Sequence, residues 1–80
     1  MGILERFGLL PKVRYSRAEV CDALRQAGCR PSAQQEPDLT IEFWNTRNGK
    51  EFHIPADPRA FSEVLTFRIL QAVERLQGPR

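Results

Sequence analysis

Residues 39–55, LTIEFWNTRNGKEFHIP, decide the fold of this chain. Apolar and polar residues alternate on both sides of Asn48-Gly49, which is the pattern of a β-hairpin with one buried face. Asn-Gly is typical of a two-residue type I′ turn, because both central residues of that turn need positive φ. The sequence therefore predicts a hairpin over residues 39–54 that ends at Pro55.

The predicted turn also determines which hairpin residues share a face. It places Phe43 opposite Ile54 and Trp44 opposite His53, and directly opposed residues point to the same side of a sheet. The inner face would then contain Leu39, Ile41, Phe43, Phe52 and Ile54. The outer face would contain Thr40, Glu42, Trp44, Glu51 and His53.

Two helices are predicted on either side of the hairpin. Ser16-Arg17-Ala18-Glu19 is a capping box and Gly28 is a typical helix end, so one helix should span about residues 16–27. Asp57-Pro58 is typical of a helix start, and Gly78-Pro79 would end that helix near residue 77. A short helical segment is expected near the N-terminus from the spacing of Ile3, Leu4 and Phe7.

These elements predict an α+β fold, with both helices packed on one face of a small antiparallel sheet. The sheet has two strands, or three if residues 32–35 add an edge strand. Eighty residues make a single domain, residues 1–80. Phe67 and Leu70 lie off the main apolar stripe of the last helix. They could receive the N-terminal segment or, together with Phe7, form a partner or dimer contact.

Composition indicates a soluble cytoplasmic protein. The net charge of +2 is mildly basic and does not by itself indicate a nucleic-acid ligand. Cys21 and Cys29 belong to no C-x-x-C or His-Cys cluster, so we expect two reduced thiols, no metal and no cofactor. No signal peptide or membrane-spanning run is recognisable, so no membrane partner is expected.

Five residues of the hairpin and its neighbouring loop are candidates for binding or catalysis. His53, the only histidine, could act as a general base with Glu42 or Glu51, or could be a surface residue packed on Trp44. Trp44 could be covered by residues 1–10, contact a protein or stack on a base. The flanking carboxylates would repel phosphate, which favours the first two roles. A small basic tip able to meet phosphates is predicted from Arg30, Arg47 and Lys50.

Several short motifs resemble the HicA family. They are Leu24-Arg25-Gln26-Ala27-Gly28 at a helix end, Gly49 at the turn, Ile54-Pro55 at the strand end, and Thr66-Phe67-Arg68-Ile69-Leu70 in the last helix. HicA proteins are small toxins with a fold like the double-stranded-RNA-binding domain. They cleave messenger RNA and are neutralised by an antitoxin protein. The resemblance implies such a fold and a protein partner.

The chain lacks the catalytic motif of that family. HicA proteins carry Gly-Ser-His at the start of the second strand, and Ile41 occupies the position of that histidine here. We therefore expect a binding module that acts through protein contact, with RNA as a second ligand class, and without catalysis. The alternatives are an mRNA-cleaving toxin that uses His53 and a self-associating structural or assembly subunit.

Overall fold

Helix α2, Arg17–Gln26, forms where the capping box and the glycine predict it. The Ser16 hydroxyl accepts from the Glu19 backbone N–H at 3.1 Å, and the Glu19 carboxylate accepts from the Ser16 N–H at 3.1 Å. Gly28 follows the helix with φ of +94°, a conformation that only glycine adopts without strain. Both ends of the predicted helix are therefore confirmed to within one residue.

The remaining elements give the predicted α+β fold. The computed structural model describes residues 2–35, 40–56 and 61–78. In chain order the other elements are α1, Ile3–Arg6; β1, Arg14–Tyr15; β2, Arg30–Pro31; β3, Ile41–Asn45; β4, Glu51–Pro55; β5, Phe61–Ser62; and α3, Glu63–Gln77. The strands form two antiparallel sheets, ordered β2-β3-β4 and β1-β5.

The hairpin is present, but the predicted register is wrong by one residue. Trp44 lies opposite Phe52, and Phe43 lies opposite His53. Trp44 and Ile54 are fully buried and Phe52 is nearly so, whereas Phe43 is only half-buried. The inner face is therefore Glu42, Trp44, Phe52 and Ile54. Since side chains alternate along a strand, this shift moves Ile41 and Phe43 to the outer face.

The turn chemistry explains the shift. Gly49 has φ of +80°, and no described residue other than glycine has a positive φ, so Asn48 does not adopt the type I′ geometry. Instead the Gly49 N–H donates to the Thr46 carbonyl at 2.9 Å and the Thr46 N–H donates to the Lys50 carbonyl at 2.8 Å. This is a three-residue loop with a glycine bulge. The Thr46 hydroxyl stabilises it by accepting from the Lys50 N–H at 3.0 Å.

Helix α3 begins at Glu63 instead of near residue 58. Ser62 caps it by accepting from the Leu65 N–H at 3.1 Å. Phe61 and Ser62 cannot be helical because they pair with Tyr15 and Arg14 in the second sheet, which the sequence did not predict. The proposed cap at Asp57-Pro58 lies outside the described residues. The helix ends at Gln77, as predicted.

The third strand lies earlier in the chain than residues 32–35. It is β2, and its Pro31 is tolerated because β2 is an edge strand. Beyond β2, the side-chain amide of Gln35 pairs with the backbone of β3 as a neighbouring strand would. Its Oε1 accepts from the Phe43 N–H and its Nε2 donates to the Phe43 carbonyl, both at 2.9 Å.

The N-terminal segment packs against α3 and completes the core. Ile3, Phe7 and Leu9 are buried in one cluster with residues of α2, α3 and the inner face of the hairpin. Leu70 is fully buried in the same cluster, which leaves it no exposed surface for the partner or dimer contact proposed for it. Phe7 is buried over most of its surface. Phe67 remains exposed over 42% of its surface. None of the helices within the described ranges is long and apolar enough to cross a membrane.

Candidate ligand groove

Three segments meet at the end of the molecule where α2 and α3 terminate. The hairpin turn contacts α3, because the Asn48 side-chain amide donates to the Leu76 carbonyl at 3.1 Å. Helix α3 contacts α2, because the Gln77 side-chain amide donates to the Ala27 carbonyl at 3.3 Å. These side chains bind carbonyl groups at helix ends that lack partners within their own helices.

The turn lies very close to the end of α2. A Cβ atom added to Gly28 would be 2.9 Å from the Cβ of Arg47, a distance shorter than real Cβ contacts allow. Gly28 therefore serves two purposes, since it ends α2 and leaves room for the Arg47 side chain. This packing fixes the direction in which the stem of Arg47 leaves the turn.

A groove of about 990 Å³ lies between α1, the two helix ends and the turn. Its size is in the range of sites that hold a small molecule or a few residues of a peptide. Its walls combine charged, amide and apolar groups. The lining residues are Glu5, Arg6, Phe7, Gly8, Ala23, Gln26, Ala27, Arg47, Glu74, Arg75, Gln77 and Gly78.

The charged groups that line the groove are unequally paired. Arg6 binds the Glu74 carboxylate through two nitrogens, at 2.8 and 2.9 Å. The hydrogen bond from Arg6 lowers the pKa of Glu74, and the same contact raises the pKa of Arg6. By contrast, the guanidinium groups of Arg47 and Arg75 make no ion pair or hydrogen bond with any side chain in the described ranges. Of the two lining carboxylates, Glu5 also makes no ion pair or side-chain hydrogen bond with the described residues. Among the described side chains, the unpaired charge in the groove is therefore mainly positive.

Three further cations surround this end of the molecule. Arg30 donates to the carbonyls of Arg25 and Cys29, at 3.0 and 2.7 Å. The Arg25 guanidinium carbon lies 5.4 Å from the centre of the Trp44 ring, and Lys50 is exposed beside the turn. Positive charge near the C-terminal end of a helix is favourable because the macrodipole is negative there. The predicted basic tip of Arg30, Arg47 and Lys50 thus becomes part of a larger basic end that includes Arg25 and Arg75.

Trp44 belongs to the core and not to an exposed binding face. It is 0% exposed, and its indole N–H donates to the carboxylate of Glu42. Arg17 pairs with the same carboxylate at 2.7 Å and donates to the Pro55 carbonyl at 2.9 Å. Burial of this large ring is possible because its one polar atom has a partner. The predicted outward orientation of Trp44 is therefore wrong, and the ring is covered in one cluster with Ile3, Phe7 and Leu9 of the N-terminal segment.

His53 lies on the outer face of the sheet, away from Trp44 and Glu42. Its ring meets Phe43 edge-on, with centroids 6.2 Å apart and planes at 71°. Glu51 is on the same face, but no side chain in the described part of the chain hydrogen-bonds to the imidazole. The diagonal pairing of His53 with Glu42 that the sequence suggested is excluded by the register.

Neither cysteine contributes a reactive group to the groove. Cys21 is half-buried, Cys29 is fully buried, and both are free thiols. Burial raises the pKa of each thiol, which disfavours the nucleophilic thiolate at neutral pH. Within residues 2–35, 40–56 and 61–78, no group of three His, Cys, Asp or Glu side chains is placed to hold a metal ion.

The sequence indicated only part of this site. Arg47, Lys50 and Arg30 could be proposed because they lie near a turn, whereas Arg75 and Gln77 sit in a helix far along the chain. Their position in the last turn before Gly78 was the only signal that they would reach a helix end. Phe67 does not line the groove. No protein-family model matches the chain, and comparisons with curated proteins and with solved structures likewise found no match.

Proposed function

We propose that the chain is a small binding module that acts without catalysis by holding an acidic segment of a partner protein in the groove. The observation that carries this proposal is that Arg47 and Arg75 pair with no side chain among the described residues, whereas Arg6 beside them is already paired with Glu74. A guanidinium presents several donors in a fixed fork that matches a carboxylate. Two such groups in one groove therefore favour a ligand with more than one negative charge.

The shape and lining of the groove favour a peptide over a nucleic acid. Glu5 and Glu74 line the same space. A peptide can place uncharged residues beside them and its carboxylates at Arg47 and Arg75, whereas a nucleic acid carries a phosphate at every nucleotide and would be repelled there. Phe7, Ala23 and Ala27 provide apolar contact area, and Gln26 and Gln77 provide amides that can bind a peptide backbone. A protein partner also agrees with the HicA resemblance, in which an antitoxin protein binds the toxin.

A binding experiment with labelled peptides tests the proposal. The probe is a pool of fluorescein-labelled decapeptides that each contain three glutamates, compared with a pool in which glutamines replace them. Fluorescence anisotropy should show binding of the acidic pool alone. Amide chemical shifts of the ¹⁵N-labelled protein should change around Ala27, Arg47 and Arg75. Arg47→Gln and Arg75→Gln should each weaken binding roughly tenfold, because a charge-assisted hydrogen bond contributes about 1.5–3 kcal/mol.

Arg14→Gln is the matched control, since Arg14 is an exposed arginine of β1 outside the groove. It should bind the acidic pool as the wild type does. Equal binding of both pools, or equal weakening by Arg14→Gln and Arg47→Gln, would contradict the proposal.

RNA is the second candidate ligand, because five cations from three separate segments lie at this end of the molecule: Arg25, Arg30, Arg47, Lys50 and Arg75. A labelled RNA duplex and a labelled single strand should be tested in the same assay. Binding whose affinity falls steeply with salt and depends on these residues would favour RNA over a peptide. RNA degradation that is lost in His53→Ala would instead support a nuclease.

A further inference from the structure

The large apolar side chains that remain exposed lie near the N-terminal half of α3. In the described part of the chain they are Leu10 and Val13, each 80% exposed, Val64 at 63% and Phe67 at 42%. The Val13 carbonyl accepts from the Glu63 N–H at 3.1 Å, so Val13 lies beside the first turn of α3. The Leu10 carbonyl accepts from the hydroxyl of Tyr15, which pairs with Phe61 just before that turn.

Val64 and Phe67 form an apolar stripe with one charge on each side. Successive residues of a helix are about 100° apart, so Val64 and Phe67 are separated by about 60° around the axis. On the same basis Glu63 lies about 40° beyond Phe67, and Arg68 lies about 40° beyond Val64 in the opposite direction. Neither charged side chain makes an ion pair or hydrogen bond with the described residues.

We propose that this stripe pairs with the same stripe of a second copy of the chain, with the two α3 helices parallel. In a parallel pair, opposite flanks of the two helices meet. Glu63 of each copy would then face Arg68 of the other, giving two equivalent ion pairs. In an antiparallel pair like flanks would meet and these charges would repel. Charges beside an apolar seam set the orientation of paired helices in this way.

The spacing fits a coiled-coil seam only along the first half of α3. Val64, Phe67 and Gln71 follow the spacing of the core positions, and Glu63 and Arg68 occupy the two flanking positions. Farther along, Glu74 is held by Arg6 of α1, so the seam cannot extend to the end of the helix. The contact is therefore short, and Val13 would widen it beside the first turn.

None of Val13, Val64, Phe67 and Gln71 lines the groove, so this pairing does not depend on the proposed function. Sedimentation velocity from micromolar to millimolar concentration should show a monomer that converts to a dimer. Phe67→Ser should weaken the dimer at least tenfold. A wild-type protein that stays monomeric throughout this range would overturn the proposal.

Charge exchange tests the orientation of the pair. Glu63→Arg and Arg68→Glu should each weaken the dimer several-fold, because each places like charges opposite one another. The double variant should regain the wild-type dimer. The two single variants, when mixed, should form a heterodimer that is tighter than the homodimer of either variant. Asp22→Arg, an equal charge reversal on the exposed surface of α2, should have no effect.

Circular dichroism should establish that each variant is folded. A loss of stability in the single variants would weaken pairing in the mixture as well as in each variant alone. Stronger pairing in the mixture therefore reports the complementary charges. A double variant as weak as the single ones, with no heterodimer in the mixture, would rule out the parallel arrangement.

Discussion

At the scale of single residues, Thr66 is an internal weak point of the fold. It lies in α3, is fully buried, and its hydroxyl has no hydrogen-bond partner among the described residues. A buried polar group without a partner costs about 1–3 kcal/mol, since it has lost its hydrogen bonds to water. Ile69 and Leu70, one turn farther along α3, are buried apolar residues, which suits a methyl group at this position.

Thr66→Val should therefore raise the free energy of unfolding by about 1 kcal/mol, because it removes the unsatisfied hydroxyl and keeps the branched shape. Urea denaturation followed by circular dichroism measures the change. Thr66→Ser is the matched control. It keeps the hydroxyl and removes a methyl group, so it should lower stability by roughly 1 kcal/mol. A valine variant less stable than the wild type would mean that the hydroxyl has a partner in solution.

At the scale of elements, the hairpin register decides which aromatic residue supports the core. The three-residue loop directs Trp44 inward and Phe43 outward, and the difference in size between the rings favours this outcome. A buried aromatic ring contributes in proportion to the apolar area it removes from water, and the indole is the larger of the two. Glu42 is carried inward by the same shift, and its carboxylate is satisfied by Trp44 and Arg17.

The register predicts unequal costs for the two aromatic truncations. Trp44→Ala should lower the free energy of unfolding by roughly 3–5 kcal/mol, and the half-buried Phe43→Ala by less than half of that. The type I′ register would reverse this order. A domain of this size has little stability to spare, so Trp44→Ala is expected to be largely unfolded.

Wild-type fluorescence gives a check that needs no variant. Trp44 is the only tryptophan, and its emission should be blue-shifted and poorly quenched by acrylamide. Emission typical of an exposed indole would contradict the inward orientation.

At the scale of the whole molecule, exposed ion pairs tie peripheral segments to the helices. Arg6 joins α1 to α3 through Glu74, and Lys12 joins the segment before β1 to Glu19 of α2 at 2.6 Å. The hydrogen bond from Lys12, and then that from Ser16, lowers the pKa of Glu19. Such exposed pairs contribute little individually, and salt weakens them further.

The lowered pKa values set the sign of the pH dependence. Since Glu19 and Glu74 bind protons less readily in the folded than in the unfolded chain, their contribution is present above the usual glutamate pKa of 4.5. It is lost as the pH falls through the lower folded values. Urea denaturation should therefore show stability decreasing on acidification below this point.

The double variant Glu19→Gln and Glu74→Gln isolates these two groups from the other carboxylates. The difference in stability between wild type and variant should shrink as the pH is lowered. A difference that is constant, or that grows with acidity, would contradict the assignment.

Local signals predicted both ends of α2 and the end of α3, because the residues that cap a helix act on their own neighbours. Ser16 and Glu19 bind each other's backbone within one turn, and Gly28 ends α2 through its own φ angle. The start of α3 was misplaced because pairing of Phe61–Ser62 with Arg14–Tyr15 competes with helix formation. A contact between segments so far apart in the chain leaves no pattern in a two-residue strand.

The sequence by itself determined the α+β composition, the existence of the hairpin and the ends of α2. It did so because alternation, capping and turn residues are local. Only the tertiary structure decided the register, the burial of Trp44 and the placement of Arg47 and Arg75 in one groove. Asn48-Gly49 is compatible with two loop lengths, and the choice between them depends on which aromatic ring the helices cover. The groove likewise exists only once the ends of α2, α3 and the turn are packed together.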